Sequence, residues 1–341
     1  MNFHLEFTPK PFPIKIDHQQ KLLLLGSCFT ENIGAKLKQH KFEVLENPNG
    51  ILFNPASITQ SIASYINNKQ YHEADLFYQN ECWNSWQHHS RFSHPDKETC
   101  LAAINLSQQK AHNFLKNTDW VLITLGSAFG YTLNFSDESL LKSNVDNKEN
   151  IVANCHKVPT DKFNKKLLSA FEIEKILEQM IVDLIDFNPS IKIIFTISPV
   201  RHLREGFVEN NRSKATLMQA VHAIIDKKNN TFYFPAYELV IDDLRDYRFY
   251  AEDMVHPNYA ATNYVWDKFV CTCIDKSSQT LMKEINIINA AKSHKPFNPT
   301  SNQHKKFLQT NFYKVKDLIK RYPYINFDAE ENYFSADDLM M

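Results

Sequence analysis

Residues 21–39 read KLLLLGSCFTENIGAKLKQ, and this stretch predicts a strand, a tight turn and a helix in direct succession. Residues 21–25 are a short, mostly apolar run, typical of a strand that is buried on both faces of a parallel sheet. The strand ends at Gly26-Ser27, and residues 31–39 have helical composition. Such a β-turn-α opening indicates an α/β fold.

The same alternation of strands and helices continues along the chain. Further strands are predicted at residues 42–45, 119–125 (DWVLITL), 191–197 (IKIIFTI) and 231–234. Helices are predicted at residues 98–117, 163–186, 211–228, 258–275 and 305–322, and after Asn54-Pro55 with Ser57 or Thr59 near the cap. This order implies a parallel sheet with helices on both faces, in which ligands bind beyond the carboxyl ends of the strands.

Three residues after predicted strands have the chemistry of a serine hydrolase. Ser27 precedes a helix amino terminus, where the helix dipole and free N–H groups stabilise a developing negative charge. A serine hydroxyl needs a general base, and Asp253 with His256 forms an Asp-x-x-His pair in which the carboxylate can orient the imidazole. Ser27, His256 and Asp253 are therefore the predicted triad. The neighbouring Cys28 is expected to point into the sheet–helix interface as a small apolar side chain.

The segment LGSCFTENIG (25–34) resembles the signature of the GSCFA family, which is similar to the SGNH/GDSL-like hydrolases. Further segments resemble that family in the same order: NPNGILFNPASI (47–58), TLGSAFGY (124–131), VANCHKVP (152–159), FTISPVRH (195–202) and YFPAYELV (233–240). The resemblance implies a flavodoxin-like three-layer α/β/α sandwich with a parallel sheet, and the activity of an esterase or acyltransferase. The superfamily's nucleophile block matches Ser27, and its Asp-x-x-His block matches Asp253 and His256.

The resemblance also implies an oxyanion hole, and here the sequence departs from the superfamily pattern. The superfamily supplies an Asn side chain from a Gly-x-Asn-Asp block, but the equivalent stretch reads GSAF at residues 126–129. Either the Ser127 hydroxyl or backbone N–H groups replace that Asn, or Asn54 or Asn154 reaches in. The predicted oxyanion donors are Ser27, Gly50, Ser127 and Asn154.

Five residues are candidate substrate contacts: Asn54, His156, Arg201, Trp83 and Trp86. His156 either contacts substrate or is a structural loop histidine. Arg201 follows a strand end and either holds an anionic or polar group or pairs with a local carboxylate. The two tryptophans either stack on a sugar or anchor an inserted segment to the core.

Composition and motifs argue against several other function classes. The 341 residues carry 38 Lys and Arg against 39 Asp and Glu, a net charge of -1 without the basic excess typical of nucleic-acid binding. No phosphate-binding glycine motif follows a strand, and only His89 and His94 half-match a zinc spacing, so we expect neither cofactor nor metal. With no secretory pattern and no apolar run near the roughly 18 residues of a membrane span, we expect a cytoplasmic protein with reduced cysteines.

We expect an SGNH-like α/β domain over residues 1–278, with an insertion at about 66–118. Residues 279–341 are expected to form a helical extension that packs on it. The predicted function is hydrolysis or transfer of a small or carbohydrate-borne acyl ester through the Ser27 triad. The alternative is a catalytically silent carbohydrate-binding or scaffold protein that retains the fold.

Overall fold

The computed structural model describes residues 5–134 and 151–335 of the chain. The strands in this part are β1 (Lys21–Gly26), β2 (Glu43–Glu46), β3 (Phe77–Gln79), β4 (Cys82–Asn84), β5 (Trp120–Leu125), β6 (Phe129–Leu133), β7 (Phe163–Leu167), β8 (Lys192–Ile197) and β9 (Thr231–Tyr233). The α-helices are α1 (Cys28–Gln39), α2 (Pro55–Ile66), α3 (Lys97–Leu115), α4 (Ala170–Phe187), α5 (Gly206–Ile225), α6 (Ala236–Glu238), α7 (Tyr259–Cys273), α8 (Lys276–Ser293), α9 (Asn302–Arg321) and α10 (Asp328–Ser335).

Five parallel strands form the central sheet, in the order β2-β1-β5-β8-β9. Successive side chains along a strand point to opposite faces, so Leu23 joins one buried apolar cluster and Leu24 joins another. Residues of α2, α3, α4 and α5 cover the Leu23 face, and residues of α1 and α7 cover the Leu24 face. This three-layer α/β/α arrangement confirms the predicted fold class.

The register of the central strands brings three chain segments to one edge of the sheet. Gly26 on β1 lies opposite Thr124 on β5, and Thr124 lies opposite Thr196 on β8. The segments that follow these strands therefore emerge side by side. Two of the residues that begin them are Ser27 and Ser198.

The predicted helix over residues 163–186 is wrong in its first part. Residues 163–167 form β7, which pairs antiparallel with β6, and α4 begins only after Ser169. A capping box defines this start, since Ser169 Oγ accepts the Glu172 N–H and the Glu172 carboxylate accepts the Ser169 N–H. The strand exists because β6 provides its hydrogen-bonding partners, which helical periodicity within 163–186 does not reveal.

The amino-terminal cap of α2 is Asn54, rather than the predicted Ser57 or Thr59. Asn54 Oδ1 accepts the N–H groups of Ala56 at 2.9 Å and Ser57 at 3.4 Å. Pro55 occupies the first helical position, where a missing N–H breaks no helical hydrogen bond. The Asn54 side chain is therefore held by the start of this helix.

Residues 66–118 contain the β3–β4 hairpin and α3, whose Ala111 and Leu115 belong to the apolar cluster of the Leu23 face. The carboxy-terminal helices α8, α9 and α10 enclose an apolar cluster of their own. They contact the turn after α1 through the Lys41–Glu330 ion pair at 2.7 Å. The predicted boundary at 278 falls in the first turn of α8, and the outermost predicted residues, 1–4 and 336–341, lie outside the described residues.

Candidate active site

Ser27 lies between β1 and α1, where Gly26 makes a close approach to β5 possible. Gly26 has φ +142°, and a Cβ at this position would lie 2.3 Å from the carbonyl oxygen of Thr124. A side chain is therefore sterically excluded directly before Ser27. This contact explains why this position is glycine.

The Ser27 side chain is buried and already hydrogen-bonded. Its exposed fraction is 2%, and its Oγ donates to Ser198 Oγ at 3.0 Å and accepts the Phe29 N–H at 3.3 Å. Within the described part of the chain, the Ser27 N–H makes no hydrogen bond with another backbone group. This N–H at the amino terminus of α1 is available to an oxyanion.

Asp253 and His256 form a close pair on the loop before α7. Asp253 Oδ2 lies 2.6 Å from His256 Nδ1, and Asp253 Oδ1 accepts the N–H groups of His256 and Val255 at 3.0 and 2.9 Å. The His256 N–H, the imidazole and the Val255 N–H lower the pKa of Asp253 to about 2. The carboxylate is thus ionised at neutral pH and holds the imidazole by Nδ1, which leaves Nε2 for another partner.

The triad that the sequence predicts is assembled only in part. No hydrogen bond joins Ser27 to His256 in the part of the chain that the structure describes, since the Ser27 hydroxyl donates to Ser198 instead. Both side chains of the Asp253–His256 pair are about half exposed, at 49% and 48%. The structure therefore brings Asp253 to His256, and Ser27 to Ser198.

Arg201 holds the Asp253–His256 loop. Its N–H donates to the Val255 carbonyl at 3.2 Å, and its Nη1 donates to the Met254 carbonyl at 3.3 Å. The guanidinium carbon lies 3.9 Å from the centre of the Tyr250 ring, a cation–π contact. Among the described residues Arg201 forms no ion pair with a carboxylate, and its contacts support this loop instead. Its predicted contact with an anionic or polar substrate group stays a prediction.

Lys214 is a buried residue of the site that the sequence analysis missed. It is 1% exposed, and its Nζ donates to the carbonyls of Gly126 and Ser198, both at 2.7 Å. Burial lowers its pKa to about 7. The signal in the sequence is its spacing, because Lys214 precedes the buried Leu217 and Val221 by three and seven residues on one face of α5.

A cleft of about 680 Å³ opens beside the strand ends. Its described lining includes four predicted site residues: Asn54, Ser127, Asn154 and His156. His202 also lines it, and the imidazole packs against Phe53 with ring centres 4.8 Å apart and ring planes tilted by 35°. A Cβ on Gly126 would lie 3.0 Å from His202 Nε2, so the His202 side of the cleft packs directly against the end of β5.

Three of the predicted oxyanion groups are already paired in the structure. The Gly50 N–H donates to the Asn47 carbonyl at 2.7 Å, closing a turn in which Gly50 has φ +87°. Ser127 Oγ accepts the Phe129 N–H at 3.1 Å, and Asn54 Nδ2 donates to the Phe129 carbonyl at 2.8 Å. Of these bonds, only that of the Gly50 N–H must break before the group can donate to an oxyanion, because the Ser127 hydroxyl accepts and the Asn54 amide has a second N–H.

Asn154 differs from Asn54 because its side-chain oxygen, and not its amide nitrogen, is engaged. Asn154 Oδ1 accepts the His156 N–H at 2.7 Å, while its Nδ2 donates to no other described residue. The free amide lies in the lining of the cleft. Asn154 is therefore the side chain best prepared to donate a hydrogen bond there.

The predicted aromatic contacts hold the insertion. Trp86 is 4% exposed and stacks on Phe77 with ring centres 3.6 Å apart. Trp83 lies under Lys97, whose Nζ is 4.9 Å from the ring centre. These contacts favour the anchoring alternative, and the sugar-stacking role stays a prediction. His156 does line the cleft, but its Nε2 is bonded to the Ser85 carbonyl at 2.8 Å.

Cys28 does not offer a better nucleophile than Ser27. Its side chain is partly buried against the apolar cluster of α1 and α7, and burial raises the pKa of the thiol.

No group of three or more His, Cys, Asp or Glu residues in the described ranges is placed to hold a metal ion. The same ranges contain no helix that is both long and apolar enough to span a membrane.

Sequence comparison identifies two matched regions. The profile of the GSCFA family matches residues 21–269, and that of the GSCFA domain protein, C-terminal domain, matches residues 285–337. No curated protein matches the chain significantly. Among solved structures, a carbohydrate esterase family 3 protein from Talaromyces cellulolyticus is similar at 10% sequence identity and a TM-score of 0.35, over 79% of this chain and 99% of that one.

Proposed function

The chain belongs to the GSCFA family, and we propose that it is a serine-dependent ester hydrolase or acyltransferase. Two features support the proposal, and both contact the segment that follows β8, Ser27 through Ser198 and the Asp253–His256 loop through the Arg201 N–H. One is Ser27 with an unpaired N–H at a helix amino terminus, and the other is the Asp253–His256 pair at 2.6 Å. Together they supply a nucleophile, an oxyanion donor and an oriented general base.

In the proposed reaction, Ser27 Oγ attacks the carbonyl carbon of the ester and its proton passes to His256 Nε2. Asp253 holds Nδ1 and stabilises the imidazolium that forms. The tetrahedral intermediate collapses when His256 returns the proton to the leaving alcohol oxygen. Water or a sugar hydroxyl, deprotonated by His256, then cleaves the acyl-Ser27 ester and regenerates the serine.

This reaction requires the Ser27 hydroxyl to leave Ser198. In the proposed reaction this hydroxyl exchanges its hydrogen bond to Ser198 for one to His256 Nε2. Hydrogen bonds between catalytic groups are often formed only in the substrate complex. The resting contact with Ser198 is therefore compatible with the proposed triad.

We place the N–H of Ser27 and the Nδ2 of Asn154 in the oxyanion hole. Among the predicted donors these are the groups without a competing hydrogen bond in the described residues. Gly50 can donate only after its N–H leaves the Asn47 carbonyl, and Ser127 only if its hydroxyl hydrogen points to the oxyanion rather than to Ser213. The substrate is a small or carbohydrate-borne acyl ester whose larger part occupies the 680 Å³ cleft.

The second candidate function is a catalytically silent carbohydrate-binding or scaffold protein. It is favoured by the hydrogen bond from Ser27 to Ser198 and by the paired state of Gly50, Ser127 and Asn54. In that case the cleft binds a ligand without turnover.

A fluorophosphonate probe separates the two functions. The serine oxygen of an active triad attacks phosphorus and expels fluoride, so the folded wild-type protein should be labelled. Ser27→Ala should abolish labelling, and the adjacent Cys28→Ala is the matched control that should retain it. A folded wild type that takes up no probe would favour the silent protein, and labelling lost only in Cys28→Ala would identify the thiol as the nucleophile.

A further inference from the structure

The cleft beside the strand ends is positively charged. Lys157 and Arg204 line it, and neither side chain forms an ion pair or hydrogen bond with another described residue. No Asp or Glu is found among the described residues of its lining. Unpaired cations in a concave, partly apolar site raise the local concentration of anions.

The histidines of the cleft do not add to this charge at neutral pH. His89, His156 and His202 all line it, and burial lowers the pKa of each, that of His202 to about 3. His202 Nε2 is buried and has no hydrogen-bond partner in the described residues. The imidazoles are therefore neutral groups that can exchange hydrogen bonds with a ligand, while the charge comes from Lys157 and Arg204.

A second concavity on the protein is acidic, so the positive charge is a property of the cleft and not of the whole surface. A groove of about 1180 Å³ between residues 5–7 and the segment 238–249 is lined by five carboxylates and two arginines. The carboxylates are those of Glu6, Glu238, Asp242, Asp243 and Asp246. The net charge of -1 thus conceals two concavities of opposite sign. The basic one lies at the end of β5, where its lining residue His202 approaches Gly126.

We propose that the cleft recognises an anionic oxygen group, a carboxylate or a phosphate, on the ester substrate, and that Arg204 and Lys157 are the residues that bind it. This inference rests on the proposed esterase or acyltransferase function. Phe53, Phe129 and Val152 provide the apolar wall along which the uncharged part of the substrate lies. Arg204 supplies a planar donor fork that matches a carboxylate or phosphate, and Lys157 supplies a point charge.

The first test compares two esters of matched length, 4-nitrophenyl butyrate, which is neutral, and mono-4-nitrophenyl glutarate, which carries a terminal carboxylate. Wild type should have a KM about tenfold lower for the glutarate ester, since a charge-assisted hydrogen bond is typically worth that factor. Arg204→Gln and Lys157→Gln should each raise KM for the glutarate ester and leave that for the butyrate ester within about twofold. High salt should reduce the preference.

The matched control is Lys110→Gln. Lys110 is exposed on α3, forms no ion pair with a described residue and lines neither concavity, so its loss changes the net charge equally. It should leave both KM values unchanged. Equal KM values for the two esters in wild type and in all variants would overturn the proposal.

A binding measurement tests the anion site independently of the proposed catalytic activity. Titration calorimetry of Ser27→Ala with glutarate and with inorganic phosphate needs no turnover. Binding that weakens about tenfold when Arg204→Gln is added supports the anion site even if neither ester is hydrolysed, in which case only the proposed function fails. Tighter binding of glutarate assigns a carboxylate, tighter binding of phosphate assigns a phosphate ester, and no binding of either anion overturns the site.

Discussion

Ser27 is buried between a central strand and a helix, whereas the Asp253–His256 pair lies half exposed on a loop. The nucleophile is held by the sheet, by the close approach of Gly26 to Thr124 and by its bond to Ser198. The base is held by short-range bonds within its own loop and by the Arg201 guanidinium. One half of the site is therefore positioned by the core, and the other by a few polar contacts at the surface.

Because of this difference, we expect substitutions in the two halves to affect different properties, folding stability in the packed half and catalytic rate in the exposed half. Substitutions that disturb the packed half should reduce the free energy of unfolding, because they remove contacts inside the core. Substitutions in the exposed half should reduce the rate and leave folding unchanged. The predictions below test this separation, in order of decreasing expected effect.

Asp253→Asn should reduce kcat by about 10⁴-fold on an activated ester, because an amide favours the wrong imidazole tautomer. The unfolding temperature should stay at the wild-type value, since the Asn oxygen can still accept the N–H groups of Val255 and His256. Asp246→Asn is the control, because Asp246 is also exposed and accepts an N–H from Arg248 at 2.8 Å. A drop in unfolding temperature as large as that of a core variant would contradict the separation.

Asn154→Ala should lower kcat by about 10²-fold, the usual effect of losing one oxyanion donor. Asn54→Ala and Ser127→Ala should lower it by less than about tenfold, because hydrogen bonds with the Phe129 backbone orient both side chains. Asn54→Ala should instead destabilise the protein by about 1 kcal/mol through loss of the α2 cap. Equal small decreases in kcat for all three variants would indicate a hole built from backbone N–H groups alone.

Lys214→Met should destabilise the protein by about 2 kcal/mol at pH 7 in urea unfolding, because the buried carbonyls of Gly126 and Ser198 lose their donor. The difference from wild type should widen as pH rises from about 7 towards the ordinary lysine value. In that range the unfolded wild type binds a proton that the folded state has released, so raising the pH stabilises wild type.

The control for that experiment is Lys110→Met at the exposed position on α3. Its stability difference from wild type should be small and independent of pH. If Lys214→Met behaves in the same way, the buried ammonium does not hold the ends of β5 and β8 together.

Arg201→Gln should reduce kcat by about tenfold with KM unchanged, since a loosened loop misplaces the imidazole without removing a substrate contact. Arg201→Lys keeps the charge but not the planar stacking on Tyr250, and it should behave like Arg201→Gln. Kinetics and thermal unfolding of both variants check this. A raised KM with normal kcat would indicate instead that Arg201 binds the substrate.

The parts of the site that could be predicted from the sequence are those set by short-range rules. An apolar run followed by Gly26-Ser27 and a helix predicts where Ser27 lies, because strand burial and helix initiation are encoded within a few residues. Asp253 and His256 are three residues apart, so their contact needs only one loop. The order of strands and helices likewise predicts the layered fold.

The contacts between distant segments were decided only by the tertiary structure. Ser198 follows β8 and Lys214 lies on α5. Their contacts with Ser27 and Gly126 exist only once the sheet and helix layers are assembled. The strand at 163–167 and the burial of Trp86 depend in the same way on partners far along the chain. Which partner a polar group or an aromatic ring contacts depends on residues far away in the sequence, so local sequence patterns do not predict it.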